Sequence, residues 1–145
     1  MKRIQGKGID VITRIHSLVA VVWIVSALVA LVLTVLTMVS APSDVEAAWA
    51  RITLFARIAG YSSVVMFAVG LAYSVATTWR FFRHRKVVVN WVLFILATAL
   101  GGPSIVAIKA HSAIGVIGLT GAELIVLAAA SMIGVALRRE RRAEA

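Results

Sequence analysis

The chain has 145 residues, of which 61% are hydrophobic, and its mean hydropathy is +0.99. This composition is too apolar for a soluble domain of ordinary surface-to-volume ratio, so the sequence indicates an integral membrane protein. The net charge is +9, but the cations cluster at the ends of apolar segments, which favours anionic lipid head groups over nucleic acid as their partner. Because the chain has no cysteine, disulfides and thiolate metal ligands are excluded, and any metal or haem would need His or Met ligands.

Four apolar segments are long enough to cross a bilayer as helices. They cover residues 12–40, 53–79, 87–108 and 112–137, and at about 1.5 Å per residue each crosses a hydrocarbon core of about 30 Å. The sequence therefore predicts an all-α fold, in which residues 1–145 form a single membrane domain. Its expected architecture is an antiparallel four-helix bundle.

The cations predict the orientation of this bundle. Twelve of the fifteen Lys and Arg residues lie before His16, between residues 80 and 86, or after Leu137. The other three lie near the opposite ends of the segments. Since cytoplasmic loops are enriched in Lys and Arg, both termini are expected in the cytoplasm. The interpretation is a multi-pass protein of a bacterial inner (cytoplasmic) membrane.

Small and polar residues of the first segment share one helical face, while Val, Leu and Ile fill the others. This face consists of His16, Ala20, Trp23, Ala27, Ala30, Thr34 and Thr37. Because lipid contacts favour large apolar side chains, the face is predicted to look into the bundle. In the third segment, Gly101-Gly102-Pro103-Ser104 predicts a kink, which can shape a cavity.

Glu123 is the costliest residue to place in a membrane, since a carboxylate in mid-span costs at least about 2.5 kcal/mol. A functional role is one hypothesis for it. A second is an ion pair with Arg57, which lies inside the second segment. A third is a protonated acid that forms a hydrogen bond with Thr120 or with a neighbouring helix.

Three stretches resemble a known group of small bacterial membrane proteins. They are residues 16–23 (HSLVAVVW), 79–85 (WRFFRHR) and 87–93 (VVVNWVL). These stretches are similar to the first-helix signature, the basic loop and the following helix of the copper-resistance CopD family and of HemJ-type protoporphyrinogen oxidases. HemJ-like proteins carry a lysine early in that following helix, where Asn90 stands here. The resemblance implies a four-helix bundle with a haem, porphyrin or metal site at His16, Trp23 and Asn90.

Three functions are consistent with these observations. The first is haem, porphyrin or metal handling in a polar cavity near His16 and Asn90, on the cytoplasmic side. The second is a non-catalytic accessory subunit of a larger membrane complex. The third is a homo-oligomeric carrier that uses Arg57 and Glu123. The sequence assigns no catalytic residue and no metal ligand set.

Overall fold

A computed structural model describes residues 7–76 and 85–143. Within these ranges the regular structure is entirely helical, with α1 at Lys7–Ser40, α2 at Val45–Ala76, α3 at Arg85–Lys109 and α4 at Ala113–Ala143. The predicted all-α, four-helix fold is thus confirmed. Each helix contains a stretch long and apolar enough to cross a membrane, and this identifies a multi-pass membrane protein.

The four helices pack as a ring. α1 packs most extensively on α2, and α3 on α4, while smaller contacts between α1 and α4 and between α2 and α3 close the ring. α1 therefore lies opposite α3, and α2 lies opposite α4. Residues 41–44 and 110–112 connect helices at one end of the bundle, called here the loop end. The opposite end, where α1 begins and α4 ends, is called the terminal end.

The second helix begins eight residues earlier than the predicted start of the second span at residue 53. Its start is set by Asp44, whose Oδ1 accepts a hydrogen bond from the backbone N–H of Ala47 at 2.9 Å. This is an N-cap, which satisfies a backbone donor that the first turn leaves free. The predicted end of this span at Trp79, and the basic residues 80–84, lie outside the described residues.

The turn between α3 and α4 is a Schellman motif. The N–H of Ser112 bonds to the carbonyl of Ala107 at 2.9 Å, and the N–H of His111 bonds to that of Ile108 at 3.0 Å. His111 occupies the left-handed position of the motif, with φ of 51°, where glycine is usual. The bonds of the motif satisfy the last carbonyl groups of α3 at a tight turn.

Polarity is arranged as expected for a protein in lipid. Many large apolar side chains are exposed, among them Leu18, Val39, Ile114 and Ile125. The buried positions instead include many small or polar residues: Ser26, Ala27, Ala30, Thr34, Ser62, Ser63, Ser104, Thr120 and Glu123. The predicted inner face of α1 is confirmed, since all seven of its residues are buried or half-buried.

Two apolar clusters fill the described interior. The loop-end layer consists of Trp49, Ile52, Ile108 and Val116. The central layer consists of Trp23, Ala27, Ala59, Ala97 and Leu127. A cavity lies between the two layers. Ala27 and Ala59 of the central layer line it, and so does Ala56, which packs against the loop-end layer.

Candidate functional site

Glu123 lies at the middle of the bundle. It is ten residues beyond the first residue of α4, Ala113, which at 1.5 Å per residue is about 15 Å into a hydrocarbon core of about 30 Å. Only 5% of its surface is exposed. An isolated charge is not stable at such a position, so the carboxyl group requires hydrogen-bond donors and a balancing proton or cation.

The hydrogen-bond donor comes from α1. The indole Nε1–H of Trp23 donates to Oε1 of Glu123 at 2.8 Å, and Trp23 itself is 1% exposed. The ring of Trp23 is held edge-on to that of Phe94, with ring centroids 5.4 Å apart and an interplanar angle of 79°. Residues of α1, α3 and α4 thus fix the position of the carboxyl group.

Gly101 of α3 makes room for this carboxyl group. A Cβ at Gly101 would lie 3.4 Å from Oε1 and 3.6 Å from Oε2 of Glu123. These are ordinary van der Waals distances, so a methyl group fits and a longer side chain displaces the carboxyl group. The glycine brings the α3 backbone directly against the acid.

A cavity of about 210 Å³ adjoins Glu123. All four helices contribute to its lining, which consists of Ala27, Ala30, Ala56, Ala59, Gly60, Ser63, Thr98, Gly101, Gly102, Ser104, Ile105, Thr120 and Glu123. We call it the central cavity. Among these residues, Glu123 is the one ionisable side chain.

Three of the four hydroxyl groups in the lining already donate their protons to their own helices, and the fourth, that of Thr120, forms no hydrogen bond with the described residues. Ser63 donates to the carbonyl of Gly60 at 2.7 Å, Thr98 to that of Phe94 at 3.1 Å, and Ser104 to that of Leu100 at 3.1 Å. Each of these three hydroxyl oxygens therefore has lone pairs left, but no proton, for a molecule in the cavity. The polar lining is rich in acceptors and poor in donors.

The structure does not bring Arg57 and Glu123 together. Arg57 is exposed on α2, and in the described part of the chain it forms no ion pair with Glu123, whose hydrogen bond comes from Trp23. Of the alternatives for Glu123, the hydrogen bond with a neighbouring helix is the one the structure contains. The donor is an indole rather than Thr120.

The predicted site residues His16, Trp23 and Asn90 lie at two different depths in the bundle. Trp23 joins Glu123, whereas His16 lies nearer the terminal end, beside Gly70 and Trp91. A Cβ at Gly70 would lie 3.3 Å from Cη2 of Trp91 and 3.9 Å from Cε1 of His16. The Oδ1 of Asn90 is buried without a hydrogen-bond partner among the described residues. Neither His16 nor Asn90 lines the central cavity.

A porphyrin does not fit the central cavity. Pockets for drug-sized ligands measure about 300 to 1,000 Å³, which exceeds the 210 Å³ found here, and the lining offers no imidazole or thioether. In the described ranges, no three residues of the His, Cys, Asp and Glu types are grouped closely enough to hold a metal ion. The donor set of a carboxyl group and hydroxyl groups suits hard cations and N–H groups instead.

Sequence reasoning identified Glu123 but missed two residues around it. Gly101 was read as part of a helix kink, and Trp23 was assigned to His16 because both lie on one face of α1. The burial cost of a polar indole N–H was the available signal for Trp23.

Comparison of the chain with family models, with curated proteins and with solved structures finds no match. The geometry of the site therefore carries the functional argument alone.

Proposed function

We propose that this protein is a carrier of a bacterial inner membrane, and that its solute binds in the central cavity with Glu123 as the principal binding group. One observation carries the proposal: a carboxyl group at mid-depth, held by Trp23, faces a cavity of about 210 Å³ whose lining includes four hydroxyl-bearing residues. Ionisable residues at such depth mark solute and proton pathways in membrane proteins.

Binding and transfer explain the lining better than catalysis does. General acid–base and nucleophilic catalysis both require a reactive group with a second group that activates it. Among the cavity residues, Glu123 has no second ionisable residue beside it. A single carboxyl group in a cavity lined by hydroxyl oxygens can instead release its proton and bind another cation in its place.

The orientation in the membrane belongs to this proposal. The three basic clusters of the sequence place both termini in the cytoplasm by the positive-inside rule. The loop end, with Asp44 and Glu46 at the start of α2, then faces the outside. On this orientation the loop-end layer separates the central cavity from the outer surface.

Calorimetric titration of the purified protein tests the proposal. Chloride salts of sodium, potassium and ammonium are titrated into the wild type and into Glu123→Gln and Arg57→Gln. We expect at least one cation to give a saturable heat with one site per chain in the wild type and in Arg57→Gln, and no such heat in Glu123→Gln. The Arg57 variant is the matched control, because it also replaces an ionisable side chain of a span by Gln but leaves the cavity unchanged. Equal heats in wild type and Glu123→Gln would refute the proposal.

A second candidate is the porphyrin or metal site that the family resemblance implies. The Oδ1 of Asn90, which is buried and has no hydrogen-bond partner within residues 7–76 and 85–143, favours a polar ligand near the terminal end, where Trp91 and His16 adjoin Gly70. The absorption spectrum of protein purified after haem supplementation tests it. This candidate requires a Soret band that His16→Ala abolishes, and a colourless wild type would eliminate it.

A third candidate is an accessory subunit or a homo-oligomer. It is favoured by Arg57, which is exposed on α2 twelve residues beyond Val45, about 18 Å into the helix. A cation facing lipid at this depth is costly, and contact with a second protein would offset the cost. Co-purification with a defined complex that Arg57→Leu disrupts would support this candidate.

A further inference from the structure

The central cavity reaches the lateral surface of the bundle between α2 and α3. Two of its lining residues on α3, Thr98 and Gly102, are exposed, and two on α2, Ala56 and Gly60, are half-buried. A Cβ added at Gly60 or at Gly102 would meet no atom within 4 Å. α2 and α3 are also the pair of adjacent helices with the least contact. We call this opening the lateral gap.

The lateral gap faces the lipid rather than water. It lies at the level of Glu123, because Gly102 follows Gly101, where an added Cβ would lie 3.4 Å from Oε1 of the carboxyl group. Large apolar side chains are exposed on both flanking helices at this depth, including Leu54 and Val64 on α2 and Ile95 and Val106 on α3, and Arg57 is an exposed cation on α2 beside them. A molecule that enters by this route must first dissolve in the hydrocarbon core.

The lining selects for a ligand that donates hydrogen bonds. Ser63, Thr98 and Ser104 use their hydroxyl protons on backbone carbonyls and offer only lone pairs, so acceptors outnumber donors even though the Thr120 hydroxyl can also donate. The Trp23 donor is already engaged by Oε1 of Glu123. An ammonium group with several N–H donors matches these acceptors, whereas a quaternary ammonium group has no N–H to offer them.

The size of the cavity limits what can be enclosed. A water molecule occupies about 30 Å³ in the liquid, so a cavity of about 210 Å³ holds an ammonium group and a few carbon atoms. A longer alkyl chain fits only if it remains in the lateral gap, among the apolar side chains. The geometry therefore suits a molecule with a small polar head and an apolar tail.

We propose that the central cavity takes up primary alkylamines from the bilayer through the lateral gap. The amine enters as the neutral base, which is its lipid-soluble form. Its nitrogen accepts the proton of the Glu123 carboxyl group, so that an ammonium ion and a carboxylate form together with no change in net charge. The ammonium N–H groups then bond to the carboxylate and to the hydroxyl oxygens. This inference rests on the proposed carrier function and names its solute class and its route.

Two glycines of the lateral gap provide the test of the route. The protein in lipid nanodiscs is treated with a hydrophobic carbodiimide, a reagent that reaches carboxyl groups from the lipid phase. The adduct on Glu123 is then followed by mass spectrometry. Gly60→Leu and Gly102→Leu should slow this labelling by about tenfold or more, a barrier increase of about 1.4 kcal/mol. Gly118→Leu is the matched control, because Gly118 is exposed on α4 and also has open space at its Cβ. It should label at the wild-type rate.

Thermal unfolding in the same nanodiscs tests the solute class. Octylamine should raise the unfolding temperature of the wild type but not of Glu123→Gln. Octyltrimethylammonium and octanol, which share the alkyl chain, should shift both proteins equally. Stabilisation by sodium chloride and not by octylamine would overturn the amine class while leaving the carrier proposal intact.

The remaining outcomes are also decisive. Labelling of the two gap variants at the wild-type rate would overturn the lateral route, even if octylamine stabilises the protein. Equal stabilisation of wild type by octylamine and octyltrimethylammonium would overturn the role of the N–H donors. If Glu123 is not labelled, and neither octylamine nor sodium chloride raises the unfolding temperature of the wild type above that of Glu123→Gln, the carrier proposal fails together with this inference.

Discussion

The hydrogen bond between Trp23 and Glu123 predicts a specific energetic coupling between α1 and α4. Trp23→Phe removes the indole N–H that lies 2.8 Å from Oε1 and leaves a buried carboxyl oxygen without this donor. Such a loss costs about 1–3 kcal/mol. The substitution also trims the ring that packs edge-on against Phe94, and this adds a packing loss that is independent of Glu123.

A double-mutant cycle separates the two losses. Glu123→Leu removes the acceptor at nearly constant volume, so Trp23→Phe in that background should lose only its packing with Phe94. We expect a coupling free energy of about 1–3 kcal/mol between Trp23 and Glu123. The free energy of unfolding is measured by reversible denaturation in mixed detergent micelles.

Arg57→Gln supplies the control for this cycle. Because Arg57 is exposed and forms no ion pair with Glu123 in the described structure, its coupling to Glu123→Leu should be within about 0.5 kcal/mol of zero. Additive effects for Trp23 and Glu123 would refute the hydrogen bond. A coupling of Arg57 as large as that of Trp23 would restore the ion pair predicted from the sequence.

Four further predictions concern packing and orientation. Gly70→Ala should be less favourable than Gly118→Ala by about 1 kcal/mol or more, because the new Cβ at Gly70 lies 3.3 Å from the Trp91 ring and this crowding offsets the gain in helix propensity. Gly118→Ala, which has open space at its Cβ, should stabilise the protein by up to about 1 kcal/mol in the same unfolding assay. Trp49→Ala should cost about 3–5 kcal/mol, since it empties the loop-end layer and removes the ring stacked on His111; a loss below about 1 kcal/mol would contradict the packing of this layer. On intact cells, an impermeant thiol reagent should label Ser43→Cys and not His84→Cys, and the reverse pattern would invert the orientation.

The fold was predictable because the bilayer imposes a simple rule on each helix. Large apolar residues face lipid, so the small and polar residues at helical spacing from His16 to Thr37 identified the inner face of α1. α2 starts before the predicted start of the second span, because hydropathy places that boundary near the charge of Arg51. The backbone instead follows the N-cap at Asp44, and the helix continues beyond the apolar segment.

The site was predictable only in part. The cost of burying a carboxyl group singled out Glu123 from the sequence alone, because that cost depends on residue type and depth. Its partner depends on how each helix is rotated about its own axis, which the sequence of one helix does not specify. The rotation of α1 directs Trp23 at the acid, and the rotation of α2 directs Arg57 outward. Pairing by opposite charge therefore selected Arg57, whereas the hydrogen bond in the structure comes from Trp23.

Infrared difference spectroscopy of the protein in lipid films tests most directly whether the Glu123 carboxyl group binds a cation. The C=O stretching band of the protonated carboxyl group is assigned by its loss in Glu123→Gln. When octylammonium chloride or ammonium chloride is added to the wild type, this band should disappear as a carboxylate band appears, and Arg57→Gln should behave in the same way. An unchanged Glu123 band at saturating cation would contradict the account.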